Sequence, residues 1–203
     1  MFTGLIREKA KVISYKNNEL TIASKYEPKI GDSISVNGAC LTVISINSGS
    51  FCVELTHESR ENLATENLKG LVHIEPAMRL NDRLDGHLVQ GHIDTIGVIS
   101  KIQKNENGVD FFIKIDKDFI KFVVPKGSIA VDGVSLTVNE AYNDSFKLTI
   151  IPLTFKETLF NSYKIGTRVN IETDMIARYL YRLTNSSKNP LTWEEVDKIM
   201  AIF

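Results

Sequence analysis

Ser33-Ile34-Ser35-Val36-Asn37-Gly38-Ala39-Cys40-Leu41-Thr42-Val43 returns later in the chain as Ser128-Ile129-Ala130-Val131-Asp132-Gly133-Val134-Ser135-Leu136-Thr137-Val138, with seven of eleven positions identical. The copies stand 95 residues apart, a spacing that grows to 97 where His73-Ile74-Glu75 meets Asn170-Ile171-Glu172. Nearer the starts, Gly4-Leu5-Ile6 pairs with Gly91-His92-Ile93 at a spacing of 87, so the first copy is longer in its early loops. A solenoid requires several short repeats, whereas two long ones make sister domains. The boundary falls between Leu88 and Gln90.

Each copy has the texture of short β-strands. Lys11-Val12-Ile13-Ser14-Tyr15, Glu19-Leu20-Thr21-Ile22, Cys40 to Ile46 and Phe51 to Leu55 alternate or carry β-branched residues. Turn dipeptides separate them, among them Asn17-Asn18, Asn37-Gly38 and Asp132-Gly133. Short strands with tight turns suggest a small closed barrel in each half. The expected fold is all-β, with a first barrel over residues 1–88, a second over 89–185 and a C-terminal helix over 186–203. In that last segment Thr192 and Glu195 form a capping box, and Leu191 with Val196 a hydrophobic staple. Val196, Ile199, Met200 and Phe203 then share one helix face, which is expected to pack against another subunit, the alternative being that it folds back on its own barrel.

Composition excludes several classes. Of 203 residues 43% are hydrophobic and 24% charged, which suits a globular chain, and the net charge is −1. No stripe of lysine and arginine interleaved with aromatics suggests nucleic acid. No apolar run is long enough to span a bilayer, and the start Met1 to Val12 lacks a signal-peptide core, so a cytoplasmic location is expected. Cys40 and Cys52 have no metal-type spacing and are expected to stay reduced.

The copies differ where chemistry would notice. Cys40 faces Ser135, Asn37 faces Asp132, and Gly31 faces Lys126. Equivalent pockets with different polar groups would suit two identical ligands in different chemical roles. Plain turn chemistry explains Asn37-Gly38 and Asp132-Gly133 equally well, and a lone cysteine is more often a small buried hydrophobe than a nucleophile. Gly86-His87-Leu88-Val89-Gln90-Gly91-His92 offers glycines for close backbone approach and histidines able to move protons. Its histidines are too few and wrongly spaced for zinc, so no metal is expected. Thr42 and Thr137 are either inward hydrogen bonders or mere strand formers.

Met1-Phe2-Thr3-Gly4, the stretch Asn37 to Val43, the segment Gly86 to Ile93 and the stretch Lys126 to Val138, in this order on a duplicated chain, resemble the riboflavin synthases from Met1 to about Leu183. The resemblance implies two six-stranded Greek-key barrels and a C-terminal helix that holds a homotrimer. Its active sites would lie between the first barrel of one subunit and the second of its neighbour. It implies a transferase that dismutates two molecules of 6,7-dimethyl-8-ribityllumazine, the last step of riboflavin biosynthesis. A four-carbon unit moves to give riboflavin and 5-amino-6-ribitylaminouracil, without cofactor or metal.

Carried over by position, Ser33, Cys40, Leu41 and Thr42 would line the first-barrel site, with Gly4, Leu5, Ile6 and the strand end Glu54, Leu55, Thr56, His57, Glu58 and Ser59. Lys126, Ser135, Leu136 and Thr137 would line the second, with Gly91, His92, Ile93 and the segment Ile150, Ile151, Pro152, Leu153, Thr154 and Phe155. Asp174 matches a carboxylate near the ribityl hydroxyls. In role, His92 and Ser135 would handle protons, Asp132 and Lys126 set the local charge, and Cys40 assist attack or departure at the other ring. Glu58-Ser59-Arg60 and Leu153 depart from the family pattern, which suggests tuned binding rather than lost activity. The main rival is a non-catalytic lumazine- or flavin-binding protein of the same fold, expected to have lost the thiol, histidine or hydroxyls kept here. A paired-barrel binder of peptide or nucleic acid would need surface stripes that the sequence lacks.

Overall fold

The computed structural model describes residues 1–186, except the side chains of Glu58, Ser59 and Ser186. The helix expected around Thr192 to Phe203 lies outside the described residues. Alternation builds the first barrel from β1 (Glu8–Lys16), β2 (Glu19–Ala23), β3 (Ser33–Val36), β4 (Ala39–Asn47), β5 (Ser50–Glu54) and β6 (Leu71–Pro76). The ring runs β1-β2-β5-β4-β3-β6 and closes because β6 pairs with both β1 and β3. The second barrel uses β7 (Thr95–Asn105), β8 (Gly108–Lys114), β9 (Ser128–Val131), β10 (Val134–Ala141), β11 (Ser145–Ile150) and β12 (Arg168–Thr173). Its ring, β7-β8-β11-β10-β9-β12, is the same Greek key. All pairings are antiparallel.

The repeat extends to irregularities. Bulges interrupt β1 between Val12 and Ser14 and β7 between Ile99 and Lys101, and recur in β4 between Val43 and Ser45 and in β10 between Val138 and Glu140. Such extra residues bend the strands into small closed rings. Period-two burial fills each ring: Leu41, Val43, Phe51 and Ile74 in the first, Phe111, Ile113, Phe146 and Leu148 in the second. Each such side chain contributes roughly 1.5–3 kcal/mol of burial.

Two short helices follow β5 and β11, the first where the sequence leads one to expect a strand end. β5 stops at Glu54, and the chain then forms α1 (His57–Asn62). After α2 (Lys117–Ile120), the same event after β11 gives α3 (Pro152–Glu157), with Pro152 in the first helical turn, where its missing N–H costs nothing. A longer helix, α4 (Met175–Ser186), follows β12; Asp174 caps it by accepting a hydrogen bond from Ile176 N at 2.9 Å.

A pseudo-twofold axis relates the barrels. At the axis Phe2 and Val89 form an antiparallel bridge, each N–H donating to the other's carbonyl oxygen, with N···O distances of 2.7 and 3.1 Å. The two hairpin turns also back onto each other there. Asn37-Gly38 and Asp132-Gly133 carry positive φ at both residues, the conformation of a tight hairpin turn, and a Cβ on Gly38 would lie 2.8 Å from Gly133 N.

Candidate functional site

Residues 1–6 precede the first barrel and 88–93 the second, yet each lead-in lies on the hairpin of the other barrel. Ser135 N donates to Gly4 O, and Cys40 N to Gly91 O, both at 2.8 Å. Ile6 accordingly packs against the second core and Ile93 against the first. This reverses the expected grouping, in which Gly4, Leu5 and Ile6 joined Cys40 and Gly91, His92 and Ile93 joined Ser135. The physical reason is the antiparallel Phe2–Val89 bridge at the axis, which makes the lead-ins cross.

A buried carboxylate fixes each crossing. Glu75 accepts from Thr3 N and Oγ1, both at 2.7 Å, and from Gly4 N at 3.0 Å. Glu172 accepts from Gln90 N at 2.7 Å and Gly91 N at 2.8 Å. Burial pushes the pKa of Glu172 up to about 7 and that of Glu75 upward, against the pull of these N–H donors. Each lead-in is therefore held by its own barrel and presented to its sister.

The result is two candidate half-sites on the outer faces of the barrels. In the first, Cys40 and His92 line a hollow of about 410 Å³ together with Ala39, Asn62, Leu63, Gly91 and Ile93. Cys40 is a half-buried free thiol and His92 is exposed. Strand register sets Ser33, Thr42 and Glu54 in one outward row beside Cys40. In the second, Ser135 Oγ lies 2.7 Å from His87 Nδ1, and His87 N donates to Thr3 O at 3.1 Å. Burial lowers the pKa of His87, while the Asp174 carboxylate pulls it back up, which brings Asp174 within electrostatic reach of this pair. Gly86 has no room for a side chain, since a Cβ there would meet Thr3 O at 2.0 Å.

His87, rather than His92, is thus the imidazole beside Ser135. The sequence offers both histidines of this run as proton carriers but assigns a role to His92 alone; the one signal that could raise His87 is its place between a glycine and the repeat boundary.

Other expected residues lie apart from these centres or offer only backbone. Lys126 is exposed at the far end of the second hairpin, with positive φ, where it donates from N to Val138 O; four residues of strand, about 13 Å, separate it from the position facing Ser135. Gly31 has the same bond to Val43 O, so the Gly31/Lys126 difference is first a difference between two turns. Asp132 is 1% exposed, and its oxygens accept from Asn170 N at 2.7 Å and Tyr163 Oη at 2.6 Å. Its carboxylate therefore ties the second hairpin turn to β12 and to Tyr163 of the same barrel. Leu41, Leu55 and Ile150 are core side chains, able to meet a ligand only through their backbone, and Leu136 packs on the second core. Thr137, Thr56, His57, Ile151, Pro152 and Leu153 are exposed, Thr154 and Phe155 half-buried; Ile150, Pro152 and Phe155 line a separate hollow at the rim of the second barrel. Glu58 and Ser59 lie in α1.

The interface below the hairpins is held by a second set of paired bonds. Asn170 Nδ2 donates to Asn37 O and its Oδ1 accepts from Ala64 N, both at 2.8 Å. His73 replaces it on the other side of the axis: Nε2 accepts from Leu159 N at 2.8 Å, so Nδ1 carries the proton and donates to Asp132 O at 2.9 Å. Burial holds the pKa of His73 down at about 4, consistent with this neutral tautomer.

The sequence matches the lumazine binding domain family twice, at residues 3–77 and 90–174. It is 40% identical to the riboflavin synthase of Bacillus subtilis over 98% of this chain and 96% of that protein. Identity is 39% with riboflavin synthase from Actinobacillus pleuropneumoniae, over 89% and 88% of the two chains, and 38% with that from Mycobacterium tuberculosis, over 92% and 100%. The fold resembles the crystal structure of LumP complexed with riboflavin, with a TM-score of 0.76 and 22% identity over 85% of this chain and 99% of LumP.

Proposed function

Because this chain belongs to the riboflavin synthase family of lumazine-binding barrels, we propose that it dismutates two molecules of 6,7-dimethyl-8-ribityllumazine. Four carbons leave one molecule and join the other, giving riboflavin and 5-amino-6-ribitylaminouracil with no net oxidation. The observation that carries this reading beyond kinship is the pairing of two related but unlike half-sites, Cys40 with His92 and Ser135 with His87.

The 7-methyl group of the lumazine is acidic because its carbanion delocalises into the ring. The enzyme therefore chiefly has to stack, orient and exchange protons between two bound molecules. His87 Nδ1 and Ser135 Oγ form a ready proton relay at one half-site. At the other, the Cys40 thiol and His92 attend the second ring, while the row Ser33, Thr42 and Glu54 offers hydroxyl and carboxylate partners to a ribityl chain. No cofactor is needed. The non-catalytic alternative finds less support, since relatives about 40% identical over most of the chain are riboflavin synthases.

Each half-site has one hairpin as its wall, so two stacked ligands require a second half-site facing it. A homotrimer supplies one, the first barrel of one subunit facing the second barrel of the next. Its support is α4, whose Ile176, Tyr179, Leu180 and Leu183 form an i, i+3, i+4, i+7 face, all more than half exposed within the chain.

The test is direct. Purified protein given the lumazine alone should produce riboflavin, seen by absorbance, with one uracil product per flavin. Tight binding without turnover would leave a binding protein instead.

A further inference from the structure

Away from both half-sites, a cleft of about 470 Å³ opens between the barrels along the pseudo-twofold axis. Its wall includes Lys9, Asn37 and Lys69 from the first barrel and Asn161, Ser162 and Tyr163 from the second. None of Cys40, His92, Ser135 or His87 reaches it.

The polar groups of this wall are mostly donors. Asn37 is 2% exposed; its Oδ1 accepts from His73 N at 2.8 Å, and among the described residues its Nδ2 has no partner. Lys9 gives one hydrogen bond, to Lys156 O at 2.7 Å, and neither Lys9 nor Lys69 has an ion pair among the described residues. The one carboxylate in the wall, Asp132, already accepts at both oxygens, and Glu66 nearby is held by Arg168 at 3.0 Å. An amide donor that opens on the cleft with no acceptor among the described residues, beside two ammonium groups without an ion pair there, offers an anion charge-assisted partners. A bare oxyanion would fill only part of the space, whereas sites for organic ligands begin near 300 Å³, roughly.

We propose that the cleft is a second ligand site, taking the phosphoryl group of a small phosphate monoester on Lys9, Lys69 and Asn37 Nδ2. It is independent of the hairpin half-sites and of the reaction assigned to them.

Calorimetric titration of the full chain, kept saturated with riboflavin, tests this with ribose 5-phosphate and inorganic phosphate as probes. The expected result is saturable binding at one site per chain, tighter for the ester. Lys69→Gln and Lys9→Gln should each weaken it by about five-fold or more, the loss of one charge-assisted bond, with riboflavin formation unchanged. No saturable binding up to millimolar concentrations overturns the proposal. So does binding that appears only when riboflavin is left out, or that both substitutions leave intact.

Discussion

At the scale of single residues, the separation of the two histidines decides where protons move. His87 shares a hydrogen bond with Ser135, while His92 stands beside Cys40. His87→Gln and Ser135→Ala should each lower kcat about 10²-fold, in the range for loss of a general acid–base group. The double variant should be little worse than either single one, because the two side chains act as a unit. Additive losses in steady-state kinetics would mean that they act separately. None of this division was legible in the sequence. Both histidines lie in one seven-residue run, and which of them meets which hairpin depends on a crossing at the axis. The inequality of Cys40 and Ser135 was legible, because it is written in the alignment of the repeat itself.

At the scale of elements, the lead-ins behave as separate parts clamped by Glu75 and Glu172. Gly91 has φ +81° and a Cβ there would lie 2.6 Å from Cys40 Cβ. Gly91→Ala should therefore lift the second lead-in off the first hairpin. Turnover should fall at least about tenfold while circular dichroism still reports intact barrels, since no ladder strand is touched. Unchanged turnover would show that the crossing tolerates displacement. α4 carries the complementary case. Leu180→Asp should dissociate the assembly in sedimentation and reduce activity, whereas a chain that sediments as a monomer before substitution would exclude the subunit-shared site. The barrels could be read from turn dipeptides and alternation because those signals are local. α4 also left a local signal, Asp174 as cap before Ile176, Tyr179, Leu180 and Leu183. The short helices α1 and α3 left less, being six residues each at the ends of strands.

At the scale of the whole molecule, buried ionisable groups at the barrel interface tie stability to pH in opposite directions. Asp132 and Glu172 keep their protons in the fold up to about pH 7, while the unfolded chain loses them near its ordinary carboxylate values of 3.8 and 4.5. Their burial therefore favours the fold most at low pH and less as pH rises toward 7. His73 works the other way. The unfolded chain protonates it below 6.5 and the fold only near 4, so stability is lost on acidification between those values, by about 3 kcal/mol. His73→Asn, which copies the sister residue Asn170, should remove that loss. In denaturant titrations the wild type should lose ground against the variant from pH 6.5 to 4. A constant gap would mean that His73 is not held neutral in the fold.

The crossed lead-ins also say something about ancestry. Each barrel completes the hairpin of the other, which is the arrangement of a domain-swapped dimer whose two chains have been joined. In a dimer of identical chains, whatever stood at one hairpin would stand at both, so a thiol on one side and a hydroxyl on the other could not arise. One chain that carries both copies leaves the two positions free to differ, and Cys40 opposite Ser135 uses that freedom.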